Sequence, residues 1–222
     1  MAHTLTLQSQ ENVTHDTHRY VFDRPEGLDF EPGQAAELAM CRDGWKDEGR
    51  PFTFTSLPAD DHLEFTIKSY PSHDGVTEQL PKLDPGDKVT LDGPFGAITD
   101  KGPGLFLAAG AGVTPFISIL RKRAKEGALD GCQLIFSNST EKDIILRDEW
   151  QGMDGLKVDH VLSDEDVSGL HHGKVDTAFL KSHADLSGQV YICGPQGYVD
   201  AMRDAVKDLG VPDDRIHTEE GW

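Results

Sequence analysis

The chain has 222 residues, 37% of them hydrophobic, with 21 Lys plus Arg against 39 Asp plus Glu and a formal net charge of -18. At roughly 100 to 200 residues per domain, that length holds one large domain or two small ones, with a core that needs neither disulfide nor metal staples. Such acidity excludes nucleic acid and anionic membranes as partners unless a local basic patch reverses the field.

The first hundred residues read as strands. Apolar side chains alternate in Thr4-Leu5-Thr6-Leu7, Arg19-Tyr20-Val21-Phe22 and Leu63-Glu64-Phe65-Thr66-Ile67, the period of a half-buried strand. Turn clusters such as Glu31-Pro32-Gly33-Gln34, Asp84-Pro85-Gly86-Asp87 and Asp92-Gly93-Pro94 punctuate them, which predicts a small antiparallel barrel or sandwich over residues 1–100. Lys101-Gly102-Pro103-Gly104 reads as a linker, placing the boundary at Thr99 to Pro103.

Beyond it, over residues 101–222, strand and helix alternate. Leu105-Phe106-Leu107-Ala108-Ala109 is a continuous apolar run, as expected of a strand covered on both faces. A helix follows near Pro115, with Thr114 as its cap and Phe116, Ile117, Ile119 and Leu120 as its apolar face. Strand-like Gln133 to Phe136, Leu156 to Val161 and Gln189 to Cys193 are interleaved with helical stretches near Ile145 to Trp150, Val175 to Lys181 and Gly197 to Leu209. This order predicts a doubly wound parallel sheet. His171-His172 reads as a loop without a metal, since neighbouring histidines do not readily aim both rings at one ion.

Cys41, Cys132 and Cys193 are odd in number, far apart and without a Cys-x-x-Cys pair. They predict neither a disulfide framework nor a resident iron–sulfur cluster, which normally takes four thiolates. The opening residues lack the basic and apolar regions of a signal peptide, and the longest apolar run is broken by glycines and a proline. A cytoplasmic protein without membrane insertion is expected.

Several segments carry chemistry. Gly110-Ala111-Gly112-Val113-Thr114-Pro115 turns from a strand into a helix. Glycines there let the backbone approach an anion, and the helix start attracts it. Arg50-Pro51-Phe52-Thr53-Phe54-Thr55-Ser56 puts an arginine, aromatic rings and hydroxyls on one strand-like run. Alternation sends Arg50, Phe52, Phe54 and Ser56 to one face, and Pro51, Thr53 and Thr55 to the other, unless the strand bends. Lys68-Ser69-Tyr70 and then Gly75-Val76-Thr77 follow, the latter another helix start whose amides, with Arg50, suit a diphosphate.

Together these motifs resemble the ferredoxin–NADP(+) reductase family, in particular its bacterial flavodoxin or ferredoxin reductase-like branch. RPFTFTS matches the flavin motif, GVT the diphosphate motif, GPFG the glycine-proline corner, GAGVTP the nicotinamide-nucleotide motif and CGP the late motif, in the family's order across nearly the whole chain. The resemblance implies an antiparallel flavin-binding β-barrel followed by an NAD(P)H-binding parallel-sheet domain. It also implies an enzyme that moves a hydride from NAD(P)H to FAD and passes electrons onward.

Residue by residue, it implies that Arg50 pairs with the FAD diphosphate, Phe52 packs on the flavin, Thr53 hydrogen-bonds near its reactive N5, and Ser56 completes the motif. Phe52 replaces the commoner tyrosine, losing a hydroxyl. Lys68, Tyr70, Gly75, Val76 and Thr77 are implied cofactor contacts. Gly110, Gly112, Thr114, Pro115, Gly194 and Pro195 are implied to line the nicotinamide-nucleotide site, with Cys193 beside the nicotinamide ring. At the end of the chain, Trp222 stands where some relatives stack an aromatic on the flavin, and Glu220 where a glutamate relays protons.

The loop Ser137 to Lys142 carries both Glu141 and Lys142. It leaves NADPH and NADH open, with NADPH put first. The implied acceptor is a flavodoxin or ferredoxin, for which Arg42, Lys46 and Arg50, or Arg121, Lys122, Arg123 and Lys125, are the local basic groups. Free flavin, an oxygenase partner, or a flavin-binding subunit without nucleotide turnover are the alternatives.

Overall fold

Alternating side chains give the N-terminal half one inward face, and the chain closes that face on itself. The computed structural model describes residues 2–70, 75–96 and 98–219. It forms two units, Met1–Thr99 and Asp100–Trp222. The first contains β1 (His3–Asn12), β2 (Thr17–Asp23), β3 (Ala35–Met40), β4 (Arg50–Thr53), β5 (His62–Lys68), the short helix α1 (Val76–Gln79) and β6 (Lys88–Phe95). The strand order is β4-β3-β6-β1-β2-β5, with every pairing antiparallel. Past β4, Phe54 bridges to Phe65 of β5 and the Thr55 N–H donates to the Glu64 carbonyl at 2.8 Å. These contacts join the two ends of the sheet into the expected barrel.

Its interior holds Leu5, Tyr20, Phe22, Leu38, Phe54 and Phe65, all 0–1% exposed. Phe30 stacks on Phe54 at 4.2 Å between centroids. Burying side chains of this size stabilises by about 1.5–3 kcal/mol each.

The second unit contains β7 (Gly104–Ala109), α2 (Thr114–Lys125), β8 (Gln133–Asn138), α3 (Arg147–Gln151), β9 (Lys157–Leu162), β10 (His171–His172), α4 (Thr177–His183), β11 (Gln189–Cys193), α5 (Gln196–Asp208) and β12 (Ile216–Thr218). The sheet order is β10-β9-β8-β7-β11-β12, parallel throughout. Leu105, Leu107, Val190 and Ile192 pack with α5 residues Met202 and Val206. On the opposite face, Phe106 stacks on Tyr191 at 4.5 Å and meets Phe116 of α2 edge-on at 5.2 Å. Two covered faces account for the unbroken apolar run in β7. Since β8 lies on one side of β7 and β11 on the other, the winding reverses between β7 and β11. That is where open parallel sheets bind ligands, outside the strands' C-terminal ends.

Three expectations need correction. Thr114 does not cap α2: Val113 holds the cap position, and Gly110–Val113 form a preceding 3-10 turn. The helix expected from Ile145 begins only at Arg147, because Leu146 takes a left-handed conformation with φ 56°, which a non-glycine residue seldom adopts. His171-His172 is an edge strand, paired with Val161 and Leu162 of β9, and not a loop.

Candidate functional site

In the barrel unit, the flavin-type motif runs from exposed to buried. Arg50 is exposed, Phe52 is partly buried against the barrel core, and Thr53, Phe54, Thr55 and Ser56 are all buried. The expected two-face alternation therefore fails beyond Thr53, where the chain leaves the β3 ladder and crosses to β5. The Ser56 hydroxyl accepts the Glu64 N–H at 3.0 Å and the Thr55 hydroxyl donates to Glu64 Oε1 at 2.8 Å, so both fasten that crossing. Arg50 donates to the Gly49 carbonyl at 2.7 Å and lies 3.4 Å from Glu48, both side chains about half exposed. Such a pair exchanges readily for a phosphate.

The end of β5 and the start of α1 are tied together. The Ser69 hydroxyl donates to the Thr77 carbonyl at 2.8 Å, which sets Lys68 and Tyr70 next to the Gly75-Val76-Thr77 turn. Gly75 occupies the cap position in extended backbone with no side-chain cap. Lys68 is held 2.9 Å from Asp16. Burial acts to raise the Asp16 carboxyl, but hydrogen bonds from Lys68 and Thr14 and the lysine charge outweigh it and hold the group below the usual carboxylate range. Tyr70 is an exposed large aromatic, at 40%. A guanidinium, uncapped helix-start amides and an exposed flat ring are a donor set that fits a flavin dinucleotide.

In the parallel-sheet unit, the two glycine motifs meet at the switch point. A Cβ built on Gly112 would fall 2.4 Å from the Cys193 carbonyl oxygen and 2.5 Å from Gly194 Cα, so only glycine lets these loops touch. Gly110 has φ +51°, and a Cβ there would meet nothing within 4 Å. Its requirement is conformational rather than steric. Pro115 sits in the first turn of α2, and the Thr114 N–H bonds back to the Ala111 carbonyl. Gly194, with φ +158°, would place a Cβ 3.0 Å from Ala109 Cβ and 3.1 Å from the Tyr198 ring. Pro195 is the residue before α5.

Cys193 is 6% exposed, and its Sγ lies 3.6 Å from Glu219 Oε2. Burial, then the Glu219 charge and hydrogen bond, push the thiol well above its ordinary value. Burial also raises the Glu219 carboxyl, against the hydrogen bond from Cys193. This pair is a thiol beside a carboxyl, not a thiolate nucleophile. The Tyr198 hydroxyl is buried with no hydrogen-bond partner among the described residues. Sequence reasoning missed Glu219. Its placement follows from register: Ile192 of β11 pairs with Thr218 of β12, so the next residues along, Cys193 and Glu219, come level. Glu220 and Trp222, expected at this site, lie outside the described residues.

Residues 4–99 match the oxidoreductase FAD-binding domain family, and residues 106–204 match the oxidoreductase NAD-binding domain family. Ferredoxin–NADP reductase B of Sorangium cellulosum strain So ce56 is 32% identical over 218 residues, 89% of this chain and 88% of that protein. The chain belongs to the ferredoxin–NADP reductase family.

Members of the ferredoxin–NADP reductase family similar to it also include the ferredoxin–NAD(P)(+) reductase component of a naphthalene 1,2-dioxygenase/salicylate 5-hydroxylase system from Ralstonia. That protein is 27% identical over 96% of this chain, which spans 67% of its length. Among solved structures, the CS-b5R domains of human Ncb5or in the NAD+ form superpose with a TM-score of 0.86 at 28% identity. The match covers 98% of this chain and 69% of that one. As in other ferredoxin–NADP reductase relatives, the two units are FAD-binding and NAD-binding oxidoreductase domains. Among the described residues, no helix is long and apolar enough to cross a membrane.

Proposed function

We propose that this chain is a cytoplasmic reductase that draws electrons from NAD(P)H through bound FAD and delivers them to an electron-carrier protein of the flavodoxin or ferredoxin type. The observation that carries this reading is the backbone contact of Gly112 with Cys193-Gly194 at the sheet's switch point. It brings two glycine-bearing loops together at the place where sheets of this kind read a dinucleotide. FAD, when bound, supplies a ring that accepts an electron pair and releases electrons singly.

The chain's own residues bind and orient. Arg50 and the Gly75 to Thr77 amides would hold the diphosphate, Phe52 and Tyr70 would supply aromatic surface, and Thr53 would supply a hydroxyl to the flavin. Lys68 keeps Asp16 ionised and braces the end of β5. Gly110, Gly112, Thr114 and Pro115 shape the nucleotide loop, and Gly194 and Pro195 its opposite wall. Cys193, kept protonated by burial and by Glu219, would present a small neutral side chain to the nicotinamide. We assign to Glu219 the carboxylate role that the motif reading gave to Glu220, because among the described residues Glu219 is the carboxylate beside Cys193.

Of the cations that would meet an acidic carrier, all but Lys125 are already paired with a carboxylate among the described residues. Arg42 lies 2.6 Å from Asp87, Lys46 is 2.7 Å from Asp43, and Arg123 is 2.6 Å from Asp100. Arg121 grips Glu149 through two nitrogens at 2.5 and 2.8 Å. Long-range steering toward an acidic carrier is therefore weak, which favours a second reading, service as the reductase component of an oxygenase system, the description that the Ralstonia relative carries. The test is spectroscopic. The purified chain, reconstituted with FAD, turns yellow and bleaches when NADH or NADPH is added under nitrogen. A colourless chain, or a yellow one bleached by neither nucleotide, overturns the proposal.

A further inference from the structure

In a strand with one face on the core, every second side chain is expected to stand in water. β5 departs from this. Leu63, Phe65 and Ile67 join the barrel core, yet Glu64 and Thr66, which alternate with them, are also buried, at 6% and 4% exposed. Among the described residues of the barrel unit, the buried polar side chains are Thr17, Thr53, Thr55, Ser56, Glu64 and Thr66. All but Thr17 belong to the flavin-type motif or to the strand it crosses to.

Glu64 is the carboxylate of that group, and it holds the crossing at three points. The Thr55 hydroxyl donates to its Oε1 at 2.8 Å, its own N–H donates to the Ser56 hydroxyl at 3.0 Å, and its carbonyl accepts the Thr55 N–H at 2.8 Å. The Thr55 hydroxyl also lies 3.3 Å from that of Thr66. From β2, Arg19 approaches Glu64 Oε2 at 3.8 Å while pairing with Glu11 at 2.6 Å. A buried carboxylate costs stability unless hydrogen bonds and a counter-charge compensate it, and an apolar side chain would fill the position without that cost. What the carboxylate adds is a fixed place for Thr55, two residues beyond Thr53.

We infer that Glu64 is a positioning residue of the flavin site, acting through Thr55 and Ser56 to fix the crossing from β4 to β5 and, with it, the place of the Thr53 hydroxyl. The inference rests on the FAD reading proposed above. It adds to that reading a residue outside the five motifs.

The test compares Thr55→Val, Thr55→Ser, Glu64→Ala and Glu64→Gln in the FAD-reconstituted full chain, with Leu5→Val as a core variant on β1. Visible circular dichroism of the bound flavin reads the ring's surroundings. Stopped-flow reduction, with whichever of NADH or NADPH bleaches the parent, separates the limiting rate from the half-saturating nucleotide concentration, and the unfolding midpoint reads stability. Thr55→Val and Glu64→Ala should alter the flavin dichroism and lower the limiting rate about tenfold, as a displaced contact at the reacting ring implies, with the half-saturating concentration unchanged. Thr55→Ser keeps the hydroxyl and Glu64→Gln an acceptor oxygen, so each should restore most of both signals. Leu5→Val should lower the midpoint alone. Thr55→Val preserves the shape of threonine, so it decides the matter where Glu64→Ala does not fold. Parent-like dichroism and limiting rate in Thr55→Val, or losses that follow the unfolding midpoint across all five variants, overturn the inference and leave the FAD site standing. A parent chain that takes up no FAD removes both.

Discussion

Cys193 and Glu219, separated by 26 residues in sequence, meet at 3.6 Å across two parallel strands. Burial and the neighbouring carboxylate both disfavour the thiolate. Alkylation at pH 8 should therefore label exposed Cys41 well ahead of Cys132 and Cys193. Glu219→Gln removes a negative neighbour and lowers the Cys193 value, so its labelling should quicken yet stay behind Cys41, because burial is the larger cause. Peptide mass spectrometry over a time course reads the order, and Cys193 labelling as fast as Cys41 in the parent chain would contradict the buried pair.

Gly112→Ala tests the contact between the two glycine motifs. A methyl 2.4 Å from a carbonyl oxygen forces the backbones apart, at a cost of about 1–3 kcal/mol. Nucleotide-driven bleaching of the flavin should fall at least about tenfold, while the barrel unit keeps its yellow spectrum. Denaturant titration and stopped-flow reduction check the two halves of this expectation, and an unimpaired reduction rate would show the contact is dispensable.

Arg50 is exposed and its pair with Glu48 contributes little to stability, about 0–1 kcal/mol. Arg50→Ala should leave the unfolding midpoint of the apoprotein nearly unchanged and weaken FAD retention by about tenfold or more, as expected for loss of a charge-assisted phosphate contact. Fluorescence of released flavin on dilution measures it. Unchanged retention would remove Arg50 from the cofactor site.

His160 faces Phe136 at 6.1 Å between ring centroids and is 5% exposed. Burial first, then the Arg147 charge, drives its value from 6.5 to about 4. The folded value lies below the unfolded one, so the contribution is intact above pH 6.5 and is lost progressively as pH falls toward 4. The full loss amounts to about 3 kcal/mol at 1.36 kcal/mol per pH unit. His160→Phe should shift pH 7 stability little and make the chain more stable than the parent by about 2 kcal/mol at pH 4.5. Urea titrations at the two pH values decide; parallel acid slopes for both chains would place the acid sensitivity elsewhere.

Strand content and the barrel-to-sheet order were legible because alternation and unbroken apolar runs are local signals, as in Leu63 to Ile67 and Leu105 to Ala109. The five motifs were legible for the same reason. What escaped depends on contacts between distant segments. Thr55 and Ser56 are buried because Glu64 draws the chain across to β5, a pull invisible in the RPFTFTS string. Thr114 was read as a cap because threonine caps well, but Thr114 N–H is spent on Ala111 inside the tighter turn before α2. His171 and His172 pair with β9 as an edge strand through backbone groups that any residue supplies, so their side chains gave no warning.

The three residues of β12 give the late carboxylate its address. The pairing of Thr218 with Ile192 decides which side chain arrives opposite the thiol, and the length of the bend between α5 and β12 decides which residue takes that pairing. Removing one residue from that bend and sliding β12 by one step along β11 would bring Glu219 level with Ile192 and Glu220 level with Cys193. The adjacent glutamates make the position tolerant of such a slip in length, although not of a slip by two, which would bring a glycine there and leave the thiol without an acidic neighbour.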